Sequence, residues 1–184
     1  AGQRLWLGLM VGNRDFLIGP EMLAACHAHA LPDPLLLEAF GQRHVVTHGD
    51  AWCLSDTEYL AFRGMVRQDA WQQAFLAKPL AERLVTARGI RQQSEARKMA
   101  HEPQMWADVD AAHASEFLRQ GDSLSLIHGH THRPGSEPFG PAGATRHVLS
   151  DWDLDQAAPR AEVLRLSPAG LERLSLAQAC SPRP

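Results

Sequence analysis

Three short stretches carry side chains suited to binding metals or anions: Gly12-Asn13-Arg14-Asp15, His48-Gly49-Asp50 and His128-Gly129-His130-Thr131-His132. Neutral imidazole is the commonest metal-binding side chain, and His128 and His130, one glycine apart, can point to the same side of an extended or turning loop. Gly129 between them permits a close approach of backbone to ligand. Asn13 offers an amide oxygen and His48 a third imidazole. Three histidines and one asparagine without cysteine suit a borderline-hard divalent ion such as Mn2+, Fe2+, Co2+ or Zn2+ better than they suit a thiolate-bound structural zinc. Taken singly, His48 is equally an ordinary hydrogen-bonded loop residue and Asn13 a turn residue. Alternate histidines beside a strand have little packing rationale. His27 and His29 are expected on a helix surface, and His44, His113 and His147 in structural roles.

Each of the three stretches follows a run with strand character: Leu5 to Val11, Arg43 to Thr47, and the "SLSLI" run ending at Ile127. In layered α/β folds ligands sit where strands end, because the loops there converge on one crevice. A helix is expected from Pro20 through "HAHA" until "LPDP" breaks it, and helices fill the chain from Asp56, a capping residue, to about Gln120. "ATRHVLSDW", "AEVLRLS" and "GLERLSL" read as further strands, the last two forming a hairpin through "PAG", and "SPRP" as a loose tail. The pattern is mixed α and β.

The chain has 184 residues, 45% of them hydrophobic, enough for one globular domain covering residues 1–184. A net charge of −3 argues against a nucleic-acid-binding surface. Between Lys78 and His101, however, basic residues (Lys78, Arg83, Arg88, Arg91, Arg97, Lys98) outnumber acidic ones (Glu82, Glu95), and this segment could meet an anion as well as being a solvated face. Cys26, Cys53 and Cys180 form no disulfide or zinc pattern, so a reducing cytoplasm is expected. No run of about 18 apolar residues is present, and any membrane contact is expected at the surface.

"GNRDFLIG", "THGD" and "LIHGHTHRP", in this order, resemble the second half of the signature of calcineurin-like metallophosphoesterases. Arg14 where most of that superfamily has histidine, "HGDAWCLSDTEYLAFR", "RQQSEARK" and "ADVD" narrow the resemblance to the manganese-dependent UDP-2,3-diacylglucosamine diphosphatases of lipid A synthesis, from about Leu5 to Leu176. The resemblance implies an α/β fold of the four-layer α+β type, a β-sandwich flanked by helices, with a helical cap over about residues 71–112. It also implies Asn13, His48 and His128 on one Mn2+ of a two-metal centre and His130 on the other, with His132 in support. Arg14 would bind and neutralise the diphosphate, with Asp15 supporting it. Asn13, His128, Asp56 and Ser94 would contact substrate, and Lys98, with His101 nearby, stands near further contacting positions.

The family's pattern opens with Asp-x-His and Gly-Asp elements that supply more ligands, among them a bridging carboxylate. Neither occurs before Asn13, so the expectation is that the N-terminal βαβ part is missing here, and that these residues alone bind at most one ion with little or no turnover. In the complete enzyme the resemblance implies a hydroxide held between two Mn2+ ions that attacks the α-phosphorus, giving UMP and 2,3-diacylglucosamine 1-phosphate at the cytoplasmic face of the inner membrane. Two alternatives stand beside it: another phosphoesterase acting on nucleotides or phosphoproteins, and a metal-depleted fragment that binds ligand without turnover.

Overall fold

The computed structural model describes residues 5–99, 107–140, 143–157 and 159–181, with only the backbone at 97–99. The side chain of Lys98, and all of His101, lie outside the described residues. The chain divides into two units, Ala1–Trp52 with Val109–Pro184, and Cys53–Asp108.

The first unit opens with β1 (Leu7–Leu9), which pairs in parallel with β2 (Ala28–Ala30), Leu7 opposite Ala28. Parallel neighbours need a crossover, and α1 (Pro20–Ala25), with Pro20 in its first turn, provides it. Here the expected helix through "HAHA" is corrected. The helix closes on the Cys26 N–H to Met22 O bond of 3.0 Å, and His27 turns left-handed with φ 52°. His29 therefore lies in a strand and stacks on Trp6, ring centroids 5.2 Å apart and 8° from parallel. Ala-His-Ala has a period of two, and strand pairing with β1 overrides the helix preference of alanine.

A five-stranded sheet follows, ordered β3 (Leu35–Ala39), β4 (Gln42–Thr47), β5 (Ser125–His128), β7 (Ala144–Val148) and β6 (Gly135–Phe139). The runs read as strands at Arg43, Ser125 and Ala144 form its three central members. The two edge strands carry weaker sequence signals. β3 returns into β4 through a tight turn at Phe40-Gly41, and β6 contains Pro138, which an edge tolerates because one side of its backbone needs no ladder bond. β5 sits between two parallel partners, so its residues are enclosed: Leu126 is 0% exposed and Ile127 7%.

α5 (Ala111–Gln120) starts at Asp110, whose carboxylate accepts the His113 N–H at 2.8 Å, and buries Ala114 and Leu118. An added Cβ on Gly121 would stand 3.0 Å from Leu36 Cδ1 and 3.4 Å from Val45 Cγ2, which places the helix end against that face of the sheet. Trp52 packs on Phe117 at 4.8 Å and edge-on to His113 at 5.5 Å, so His113 has a core role. The hairpin β8 (Glu162–Ser167) and β9 (Gly170–Ser175) forms as read. It is tied to the sheet by Arg173, which donates to the carbonyls of Gly135 (2.9 Å) and Val148 (2.7 Å). A short α6 (Leu176–Cys180), closed by a capping box from Ser175 to Gln178, follows it.

The second unit is helical: α2 (Thr57–Val66), α3 (Asp69–Leu76) and α4 (Leu80–Met99). Asp56 caps α2, accepting the Tyr59 N–H at 3.1 Å. Trp71 stacks on Phe75 one turn along α3, centroids 5.0 Å apart. On α4 the apolar Leu80, Leu84 and Val85 are exposed beside exposed Arg88 and Arg91. No helix among the described residues is long and apolar enough to cross a membrane.

Candidate metal centre

β4 and β5 run in the same direction with Thr47 opposite His128, so the His48 loop and the His128 to His132 loop leave the sheet at one end. The Gly129 N–H donates to the His48 carbonyl at 3.1 Å and fastens the two loops together. Asp33, fifteen residues before His48, holds the first loop from below: its Oδ1 accepts the Thr47 hydroxyl at 2.5 Å and the His48 N–H at 3.2 Å. Gly49 has φ 97°, a backbone shape that side chains rarely adopt, and a Cβ there would lie 3.3 Å from His128 Nδ1.

The three imidazoles are held differently. His48 Nδ1 approaches Asp50 Oδ1 to 3.0 Å, and the Asp50 side chain is completely buried. The other edge of the ring faces the loop after β1, where an added Cβ on Gly12 would stand 2.4 Å from His48 Nε2. His128 is wholly buried, and its Nδ1 lies 2.9 Å from the Gly129 carbonyl. A carbonyl only accepts, so Nδ1 carries the proton and Nε2 presents the lone pair. His130 adopts φ 64°, and its ring lies 5.2 Å from that of His48, tilted by 60°.

Asn13 is half-buried at the start of a turn closed by the Gly12 N–H donating to Asp15 Oδ1 and by the Ile18 N–H donating to Asp15 O at 2.9 Å. Asp15 therefore shapes the turn that carries Asn13 and Arg14, and Arg14 stands exposed on it. His132, with φ 53°, lies 3.6 Å from Asp151, which also accepts from Arg160 at 2.7 Å. The hydrogen bond from Arg160 holds the Asp151 carboxyl below the usual carboxylate range, against the opposing effect of burial.

Asn13, His48, His128 and His130 thus belong to the first unit, on loops that touch one another. Asp56 and Ser94 belong to the second, Asp56 as the cap of α2 and Ser94 on an exposed position of α4. In donor type, three imidazoles and an amide fit a borderline ion such as manganese, and the protonated Nδ1 of His128 leaves Nε2 suited to ligation. They stop short of a closed cluster: among the described residues no group of three or more His, Cys, Asp or Glu side chains could hold an ion by itself.

Asp33, through its bonds to Thr47 and His48, is a positioning residue that motif reading does not assign. Nothing in the local sequence joins it to His48. His44 has a structural place: it is 2% exposed, neither ring nitrogen has a hydrogen-bond partner among the described residues, and burial pushes its pKa down. His147, bonded to Ser136 at 2.9 Å, is pushed down as well, chiefly by burial and further by Arg173 and His44.

The chain is 45% identical over 161 residues to a UDP-2,3-diacylglucosamine hydrolase of Bordetella pertussis, covering 86% of this chain and 62% of that protein. It is 46% identical over 176 residues to a protein of the same name from Ralstonia nicotianae, covering 90% and 63%. A third, from Chromobacterium violaceum, is 43% identical over 170 residues, covering 92% and 69%. The chain therefore spans slightly under two thirds of the length of the first two. No family model matches it.

Proposed function

The chain belongs to the UDP-2,3-diacylglucosamine hydrolase family, and from that premise we propose that it carries part of a site that hydrolyses the diphosphate of UDP-2,3-diacylglucosamine to UMP and 2,3-diacylglucosamine 1-phosphate, a step of lipid A synthesis. The observation that carries this reading is the meeting of the Gly12-Asn13, His48 and His128 to His130 loops at one end of parallel strands. His48, His128, His130 and the Asn13 amide would hold manganese, two ions in the complete site. Bound manganese supplies Lewis acidity toward the phosphoryl oxygens and lowers the pKa of the attacking water. Asn13 and His128 would also meet the phosphate. Arg14, exposed on its turn, offers a planar fork of donors to the diphosphate. Asp15 fixes that turn, and Asp56, Ser94 and Lys98 would contact the remainder of the substrate.

A cytoplasmic location at the inner-membrane surface belongs to the same proposal and is supported by the exposed Leu80, Leu84 and Val85 beside basic residues of α4. The test is release of UMP from UDP-2,3-diacylglucosamine by the full protein with Mn2+, compared with His128→Ala and Arg14→Ala. Both variants should lose at least about 100-fold in rate. Equal turnover of a generic phosphodiester, or no effect of either substitution, would overturn the reading.

A further inference from the structure

We propose that Trp152 is the stacking platform for the uracil ring of the substrate, carried on a loop that is fastened to the His128 loop. The inference rests on the hydrolase reading above and deepens it by naming where the nucleoside half of that substrate would sit.

In the proposed reaction the attacked phosphorus is the one that bears uridine, so the base must lie only a ribose away from the loops that would hold manganese. β7 runs parallel to β5 with Val148 opposite His128, and the chain therefore leaves β7 at the same end of the sheet as the His128 to His132 loop. The Leu149 N–H donates to the His128 carbonyl at 2.7 Å, and Asp151 stands 3.6 Å from His132. Trp152 is the next residue.

Its indole is anchored and yet exposed. The indole N–H donates to the Glu162 carbonyl at 3.0 Å. On one side of Trp152, Asp151 accepts from the Arg160 guanidinium at 2.7 Å; on the other, the backbones of Asp153 and Arg160 exchange two hydrogen bonds of 2.9 Å. Trp152 nevertheless keeps 57% of its surface in water, with Leu154 nearby at 55%. Trp6, the other exposed tryptophan among the described residues, is stacked on His29, whereas no such ring covers Trp152 among them. A planar apolar surface held open by its own hydrogen bonds suits a planar partner. A nucleobase stacks on such a face, and a platform already ordered spends little further entropy when the base arrives.

The competing reading is that Trp152 serves only to tie its loop to β8 through the Glu162 carbonyl. In that case its loss would lower stability without changing recognition of the base.

Inhibition of the full protein, with Mn2+ and UDP-2,3-diacylglucosamine, by UMP and by ribose 5-phosphate, which is UMP without its base, separates these readings. UMP should inhibit the wild type about 10-fold more tightly or better. Trp152→Leu should bring the two inhibitors toward parity and raise KM with little change in kcat, and Trp152→Phe, which keeps a planar face, should retain most of the advantage. A wild type that turns over substrate but does not prefer UMP overturns the platform alone, and needs no variant to fold. Folded Trp152→Leu that keeps the full preference overturns it as well. Where that variant does not fold, the indole 1H–15N signal of wild-type Trp152 with diamagnetic Mg2+ decides: it should move with UMP and not with ribose 5-phosphate, and a signal that ignores UMP overturns the platform. A wild type that releases no UMP from UDP-2,3-diacylglucosamine overturns the hydrolase reading, and the platform with it.

Discussion

Gly12 and His48 occupy adjoining space so closely that a Cβ on residue 12 would stand 2.4 Å from Nε2 and 2.5 Å from Cδ2 of the imidazole. The contact joins loops 36 positions apart in sequence and makes the placement of His48 depend on a residue with no functional group. Gly12→Ala should push the ring off its present axis. We expect Mn2+ affinity to fall by about 10-fold or more, with a stability loss of about 1–3 kcal/mol from overpacking. Calorimetric titration and urea denaturation measure the two effects, and an alanine variant with wild-type Mn2+ affinity would contradict the proposed ligand role of His48.

The number of ions bound is a second test. The candidate donors on these neighbouring loops are three imidazoles and one amide, and among the described residues no group of three or more His, Cys, Asp or Glu side chains could hold an ion by itself. Without such a group, binding should be weak and limited to one ion in the 184-residue chain. Calorimetry with Mn2+ that resolved two tight sites would be incompatible with this donor set.

Asp33 supports the site from a distance. Replacing it with alanine removes two hydrogen bonds at once, from the Thr47 hydroxyl and from the His48 N–H. The expected cost is about 1–3 kcal/mol, since both donors sit in partly buried surroundings. Asp33→Asn keeps an acceptor at the same place and should lose less. Equal urea midpoints for the two variants would show that the acceptor contributes nothing.

Stability should also depend on pH through His44. Burial holds its pKa below the ordinary value of 6.5, so in mildly acidic solution the unfolded chain takes up a proton that the folded chain refuses. The folded state is therefore favoured fully above about pH 6.5 and loses this contribution as the pH falls. His147 shifts in the same direction and adds to the effect. Urea midpoints measured from pH 7.5 to 5 should decline, and His44→Phe should flatten the decline; an equal slope in both proteins would assign it to other groups.

How far the sequence discloses this architecture depends on the range of the signal. His128 and His130 are legible because two ligating side chains one residue apart, at the end of an apolar strand, form a local pattern that packing alone does not call for. β4, β5 and β7 are legible because β-branched and alternating runs mark interior strands. β3 and β6 are less so: an edge strand meets fewer packing demands, and Pro138 in β6 resembles a loop residue. β2 is hidden by alanine, whose helix preference dominates until a neighbouring backbone competes for its hydrogen bonds. The carboxylate of Asp33 gains its role only from folding, since an aspartate in a loop is common and its partners Thr47 and His48 lie on a separate strand and loop.

The Asp110 N–H donates to the Trp52 carbonyl at 2.8 Å, so the two points where the chain leaves and rejoins the first unit are clasped. The helical segment Cys53–Asp108 thus departs from and returns to neighbouring residues of the first unit, while β4 and β5 hold their register through their own parallel pairing. Closing a loop grows costlier only slowly with length, by about 0.6 kcal/mol per doubling. Lineages could therefore lengthen, shorten or exchange the intervening helices while leaving His48 and His128 in register, so that the part of the molecule free to diverge is separable from the part that cannot.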